Sequence, residues 1–284
     1  MFSLDQVGTV AQQLEGSLWS ALKELAWPAL VFGALATLTK GRGVFLWTRR
    51  RIGETRINLW LYFVDRVLTG PLMGIVLAAL TGAISGLGLT LTGSDPWAAL
   101  GFWATLATAI LVGDFSDYWT HRLMHGRRLW PIHAVHHSDT EVNWLTQSRI
   151  HPINRLITQS CSICLLSVVG FPLWALAVGG FLRYCYSLLV HADVPWTFGP
   201  LGGILVSPAM HRWHHARDVS GAGSNFGFVF AVFDRAFGTY YLPGPCGVAL
   251  GVNEPLGRSA AAMLLHPFRK MLVPLMRAPA SREG

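Results

Sequence analysis

A chain of 284 residues that is 52% hydrophobic and only 13% charged, with a mean hydropathy of +0.41, is not an ordinary soluble enzyme, because soluble domains carry about twice that charge fraction. The net charge is +7, but Lys40, Arg42, Arg49, Arg50, Arg51 and Arg56 share one stretch between two apolar blocks, the pattern of a cytoplasmic loop. No nucleic-acid motif accompanies them, so no nucleic-acid partner is expected, and 12 Trp suit a membrane–water boundary.

The opening residues (MFSLDQVGTVAQQLEG) lack a basic leader followed by an apolar core, so no signal peptide is expected. Apolar segments follow at Leu18 to Leu38, Leu68 to Leu91 and Trp97 to Val112, with Trp60 and Tyr62 of Leu59 to Val64 suited to an interface. The run from Leu156 to Val190 is too long for one span of about 20 residues. Gly170 and Pro172 interrupt it, which predicts a helical hairpin. Cys161 and Cys164 form a CxxC inside this run and are expected as small buried residues of a membrane helix, not as a metal site.

These segments predict one all-α membrane domain, a bundle of about four spans or helical hairpins under a histidine-rich helical cap. Residues 18–112 form the N-terminal spans. Residues 114–241 carry the candidate chemistry and include the hairpin 156–190, and 242–284 are a basic tail. In that tail Arg269, Lys270, Arg277 and Arg282 are expected against anionic lipid. With Lys40–Arg56 inside and the Lys/Arg-free connection near Asp95 outside, every histidine cluster falls at the cytoplasmic face.

Ten of the 11 histidines lie between residues 121 and 215. His121 and His125 (HRLMH) are i and i+4 on a helix. His133, His136 and His137 (HAVHH), and again His211, His214 and His215 (HRWHH), are i, i+3 and i+4, so each cluster shares a face. Stacked imidazoles repel when protonated and each need a partner when neutral; a metal resolves both problems. Eight nitrogens exceed one ion that keeps an open position, so two ions fit the count. Iron, copper, zinc and nickel all accept such ligands. Hydrolysis by zinc would need HExxH, and HRLMH lacks the glutamate.

In order, DFSDYWTHRLMH, HAVHHS, NWLTQSRIHP, HADVPW, SPAMHRWHH and NFGFVFAVFDRAFGTYY resemble the membrane fatty acid hydroxylase superfamily, which includes sterol desaturases, over roughly Asp114 to Tyr241. That resemblance implies a di-iron centre that uses O2 on a lipid or sterol-like C–H bond. His121, His125, His133, His136, His137, His211, His214 and His215 would be its box ligands, His191 a ninth, and His151 a supporting residue outside them. Hydroxylation leads and desaturation stays open; a histidine-lined metal transporter, which would favour ligands at mid-membrane depth, is the alternative from another class. No dinucleotide fingerprint is present, so electrons from NAD(P)H would arrive through a separate reductase or electron carrier.

Several side chains carry further expectations. Asp117, one turn before His121, is placed to accept that ring's second N–H. Arg149 and Arg212 are read as snorkelling interfacial arginines, and Asp234 with Arg235 as a structural ion pair. Asn143 and Asn225 are possible hydrogen-bond donors near the metal, and His266 is read as a surface residue.

Overall fold

The computed structural model describes residues 4–93, 95–217 and 223–276. Among these the chain is helical, with no strand and two isolated antiparallel bridges. Helices α1 (Leu4–Lys40), α2 (Val44–Val64) and α3 (Gly70–Gly86) follow almost without a break. A 3-10 turn at Gly41–Gly43, with Gly41 at φ +52°, joins the first two, and α2 folds back along α1 so that the Tyr62 hydroxyl donates to the Ala21 carbonyl at 2.7 Å. A π-helical turn, Asp65–Thr69, joins α2 to α3.

The basic stretch expected as a loop is therefore mostly helix, with Arg49, Arg50, Arg51 and Arg56 on α2. The cap gives it a partner. Lys40 and Arg51 both reach the Asp193 carboxylate at 3.1 Å, and Arg51 also reaches Glu141 at 2.8 Å.

Among the described residues, three helical stretches are long and apolar enough to cross a membrane: Glu15–Gly86, Pro152–Val169 and Leu173–Val190. The segment expected as a third span instead forms the short α4 (Asp95–Leu100) and the start of α5 (Phe102–Met124). Asp114 and Asp117 in its second half make α5 too polar to count with the others, and it packs between α7 (Pro152–Val169) and α8 (Leu173–Val190). Leu30, Ile75, Trp103 and Leu173 are all at least 70% exposed, as lipid-facing positions would be.

The α7–α8 hairpin has the predicted break. Gly170 closes α7 in the left-handed conformation, φ +89°, where a Cβ would lie 2.1 Å from the Thr92 carbonyl. Pro172 starts α8. Cys161 is exposed on α7 and Cys164 half-buried, so the expected burial does not hold: these positions face outward from the bundle.

The cap is built from α6 (Trp130–His137), α9 (Pro208–His214), α10 (Val232–Ala236) and α11 (Ala260–Met276). Leu61 of α2, Ala134 and Val135 of α6, and Leu256 and Met263 form one core cluster that seats α6. Polar seating surrounds it. Arg149 is 1% exposed rather than snorkelling; it meets Glu54 at 2.5 Å and donates to Asn58, Ser138 and the Val135 carbonyl. Arg212 pairs with Asp193 at 3.2 Å and donates to the Val142 carbonyl. His266 is buried, 3.7 Å from Glu254, and not a surface residue. Arg277 and Arg282 lie outside the described residues.

Candidate metal centre

The three histidine clusters are carried by the C-terminal parts of the long α5 and the short α6 and α9. HRLMH ends α5, with His125 as its C-cap; HAVHH ends α6, begun by Pro131 in its first turn. HRWHH ends α9, where the Ser207 hydroxyl caps the Met210 N–H and His215 is the C-cap. His191 is the C-cap of α8. All three box helices thus deliver imidazoles from their last turn, with the hairpin adding a fourth.

The nine imidazoles form two groups. His121, His125, His133, His137 and His214 make the first, and His136, His191, His211 and His215 the second; within each group the ligand atoms lie within 4.8 Å of one another. Neighbouring residues on a helix diverge by about 100°, so each HH pair is divided. The His136 and His137 rings stand at 89° and the His214 and His215 rings at 90°. The boxes set the spacing, and the pairs distribute it over two positions.

Ring orientation is fixed from behind. His121 Nδ1 faces the Phe226 carbonyl at 2.9 Å, His214 Nδ1 the Ser224 carbonyl at 2.6 Å, and His191 Nδ1 the Ser187 carbonyl at 2.7 Å. A carbonyl only accepts, so each Nδ1 carries the proton and each Nε2 presents a lone pair. His133 Nδ1 donates likewise to the Asn154 side-chain oxygen at 2.8 Å. Such outer contacts set the tautomer and basicity of metal-bound histidines.

The inward atoms fit an ion. His133 and His137 bring Nε2 atoms to 3.2 Å, His136 and His191 to 3.3 Å, and His191 and His211 to 2.9 Å. Nitrogens at about 2.0–2.1 Å from one metal stand ~2.9–3.4 Å apart for right-angle to tetrahedral geometry. Among the described residues, Nε2 of His121, His125, His214 and His215 is buried with no hydrogen-bond partner, a costly state that a cation relieves. Burial also keeps the rings neutral. It draws His121 and His191 down to about 4 and His133 to about 3. Burial and then mutual repulsion among the rings lower the other six.

The remaining expected residues lie differently. Asp117 does not touch His121; its carboxylate pairs with Arg183, because an opposite charge on α8 outcompetes a neutral ring, and the Phe226 carbonyl takes the role instead. His151 has both nitrogens engaged away from the groups. Its Nδ1 caps the Ile153 N–H and its Nε2 donates to the Leu264 carbonyl. Asp234 does not pair with Arg235, which reaches the Gly203 carbonyl. It accepts the Phe226 and Gly227 N–H groups and the Thr239 hydroxyl. Asn143 caps the 3-10 turn Trp144–Ser148, and Asn225 bridges the Met210 and Tyr241 carbonyls.

Residues 106–239 match the fatty acid hydroxylase family. Over this stretch, just under half of the chain, the protein is similar to that family. The chain is 30% identical over 167 residues to ornithine lipid hydroxylase OlsE of Rhizobium tropici, covering 57% of this chain and 49% of that protein. It is 31% identical over 166 residues to alkylglycerol monooxygenase of Danio rerio (57% of this chain, 35% of the relative). It is also 29% identical over 137 residues to the Delta(7)-sterol 5(6)-desaturase ERG3A of Gibberella zeae, covering 47% of this chain and 37% of that protein. The chain spans about half the length of the first of these relatives and about a third of the other two. No solved structure matches it significantly. The matched region holds both histidine groups and the segment that supplies the Phe226 and Ser224 carbonyls.

Proposed function

We propose that the two histidine groups hold two iron ions and that the protein is an O2-dependent membrane oxygenase acting on a C–H bond of a lipid or sterol-like molecule. The division of nine imidazoles, eight buried and His125 half-buried, into a five and a four, each with convergent nitrogens, carries this reading. Bound there, the irons would supply O2 activation and hydrogen abstraction, giving an alcohol or, after a second abstraction, an alkene. Hydroxylation balances as RH, O2, two electrons and two protons giving ROH and water. The electrons come from NAD(P)H through a separate reductase or carrier.

The chain's own groups do the rest. His121, His125, His133, His137 and His214 would hold one ion, and His136, His191, His211 and His215 the other. His121, His133 and His136, from both groups, border a cavity of about 600 Å³ that runs between α3, α7 and α8. A second recess of about 350 Å³ reaches His125, His137 and His214 past Trp130 and Arg217. We place this side, and the exposed Arg42, Arg56, Arg127 and Arg128, at the cytoplasmic face, where a redox partner has access. About four spans or hairpins then lie beneath the cap.

The test is iron content of the detergent-purified chain from iron-supplemented cells, beside His136→Ala and His137→Ala. About two irons per chain are expected, with each variant losing metal from a different group. A single ion, or content indifferent to both substitutions, would overturn the dinuclear reading.

A further inference from the structure

The cavity beside the histidines has a direction. Leu173, Leu176, Ala177, Gly180, Arg183 and Ser187 of α8 all line it, a spacing that follows one helix face. From Leu173 to Ser187 that face runs ~21 Å at about 1.5 Å per residue, more than the ~15 Å share of one leaflet in a hydrocarbon core. Leu77 and Ala78 of α3 and Ile163 of α7 supply apolar walls away from the histidines. Ser187, whose carbonyl holds His191, marks the metal end, and Leu173, 74% exposed at the hairpin tip, the far end.

Between these ends lies a polar collar, one turn below the histidines on three helices. Asp117 precedes His121 by four residues on α5 and pairs with Arg183, which precedes Ser187 by four on α8. Arg183 also donates to the Ser162 hydroxyl at 3.2 Å. Arg155, next to Asn154 on α7, pairs with Asp65, which the π-helical turn carries into the cavity wall. Such π turns recur at functional sites. The collar is built closely: a Cβ on Gly113 would come within 2.6 Å of the Arg183 guanidinium carbon.

The pairs are not complete. Among the described residues, Asp65 Oδ1 and Arg183 Nε are buried and have no hydrogen-bond partner. One is an acceptor and the other a donor. Buried polar atoms left so are costly, and a ligand group that satisfies them is bound selectively. Because each arginine already faces a carboxylate, the collar as a whole does not call for an anion.

On the oxygenase reading above, we infer that the cavity takes one long-chain lipid tail-first toward Leu173, and that the collar of Arg183, Asp117, Asp65 and Arg155 binds an uncharged group that both donates and accepts, a hydroxyl or secondary amide. The carbon offered to the histidines then lies at the polar end, within a few atoms of that group. Mid-chain and terminal carbons are held away from the metal.

The test uses the full, iron-loaded chain in detergent, supplied with O2 and with electrons from NADPH through a ferredoxin and its reductase, and three probes of equal chain length: 1-hexadecanol, N-methylhexadecanamide and hexadecane. Equilibrium binding is measured for the parent, Arg183→Gln, Asp65→Asn and Gly113→Ala, and the oxidised carbon is located by mass spectrometry. Arg183→Gln and Asp65→Asn are expected to weaken binding of at least one polar probe about tenfold, the worth of a hydrogen bond to a charged group, and to leave hexadecane within twofold. Gly113→Ala should do the same by displacing the guanidinium while keeping its charge. The probe that loses more distinguishes hydroxyl from amide. Equal losses for hexadecane, or no loss for either polar probe, would overturn the collar's role, and oxidation at the chain end would overturn the orientation. Selective binding without O2-dependent product would instead sink the oxygenase reading and leave the lipid site standing.

Discussion

The His133 ring is oriented by a side chain, which makes its support removable by substitution in a way that backbone carbonyls are not. Asn154→Leu keeps the volume near the parent's and deletes the oxygen 2.8 Å from His133 Nδ1. The buried N–H then has no acceptor. An unsatisfied buried donor costs about 1–3 kcal/mol, and loss of an outer partner of a metal-bound histidine typically weakens metal affinity about 10–100-fold, which is ~1.4–2.7 kcal/mol. The loss should fall on the first group, since the imidazole that Asn154 holds, His133, belongs to it. Anaerobic cobalt(II) titration of the metal-free chain against a competing chelator measures both affinities. One site should weaken by that factor while the other stays within about twofold. Asn154→Asp, which keeps an acceptor and strengthens it, should bind the first ion at least as tightly as the parent. The reasoning fails if the leucine variant binds both ions like the parent, or if aspartate behaves like leucine.

Two further outcomes follow from the same structure. Arg149→Met leaves Glu54, 2.5 Å away, without its cation and frees the Val135 carbonyl of α6; because Glu54 is 24% exposed, the cost falls below the about 3–5 kcal/mol of a fully buried pair. Its melting temperature in detergent should fall, and Glu54→Gln added to it should recover part of the fall. A drop no larger than that of an exposed arginine such as Arg56→Met would refute the pairing. Acidification should destabilise the metal-free chain, because burial depresses His121 and His191 to about 4 and His133 to about 3. Below the unfolded value of about 6.5 the unfolded chain takes up protons that the folded one refuses. Each ring can then contribute up to ~1.4 kcal/mol per pH unit until its folded value is passed. Melting temperature should hold near pH 7.5 and decline from about 6.5 towards 4; a flat profile over that range would refute burial as the cause.

Much of the site is legible in the spacing of histidines, and the limits of that legibility are physical. Helical periodicity says which imidazoles share a face, but two ions need the faces divided, and the division comes from the 100° step between His136 and His137 and between His214 and His215. The hairpin was legible in Gly170 and Pro172, whereas the basic stretch misled, because its partners Asp193 and Glu141 lie far along the chain. Asp117 misled for a related reason. Its place one turn before His121 is real, yet proximity along a helix does not rank partners, and Arg183 offers a carboxylate far more than a neutral ring does. Asn154 had a signal, an amide at the start of a helix three residues after His151, though nothing local ties it to His133.

The segment NFGFVFAVFDRAFGTYY shows why a stretch with no metal-binding side chain can carry a resemblance as clear as the boxes. Its task is to aim carbonyls. Asn225 sits at φ +60° and is tied on both sides, to Met210 and Tyr241. Asp234 then accepts the Phe226 and Gly227 N–H groups at 2.7 and 2.8 Å, and Asp114 on α5 accepts those of Val229 and Phe230 at 2.9 and 2.7 Å. Gly227 admits this packing because a Cβ there would lie 2.7 Å from the Phe230 carbonyl and 2.9 Å from Asp234. With its N–H groups held by two buried acids, the loop presents the Phe226 carbonyl to His121 at the end of α5, while Ser224 just before it meets His214 at the end of α9. One loop thereby orients rings delivered by two separate helices to the same group of five imidazoles. A sequence pattern records the asparagine, the glycine and the aspartates; the atoms that touch the histidines are backbone oxygens, which any residue supplies and no pattern can name.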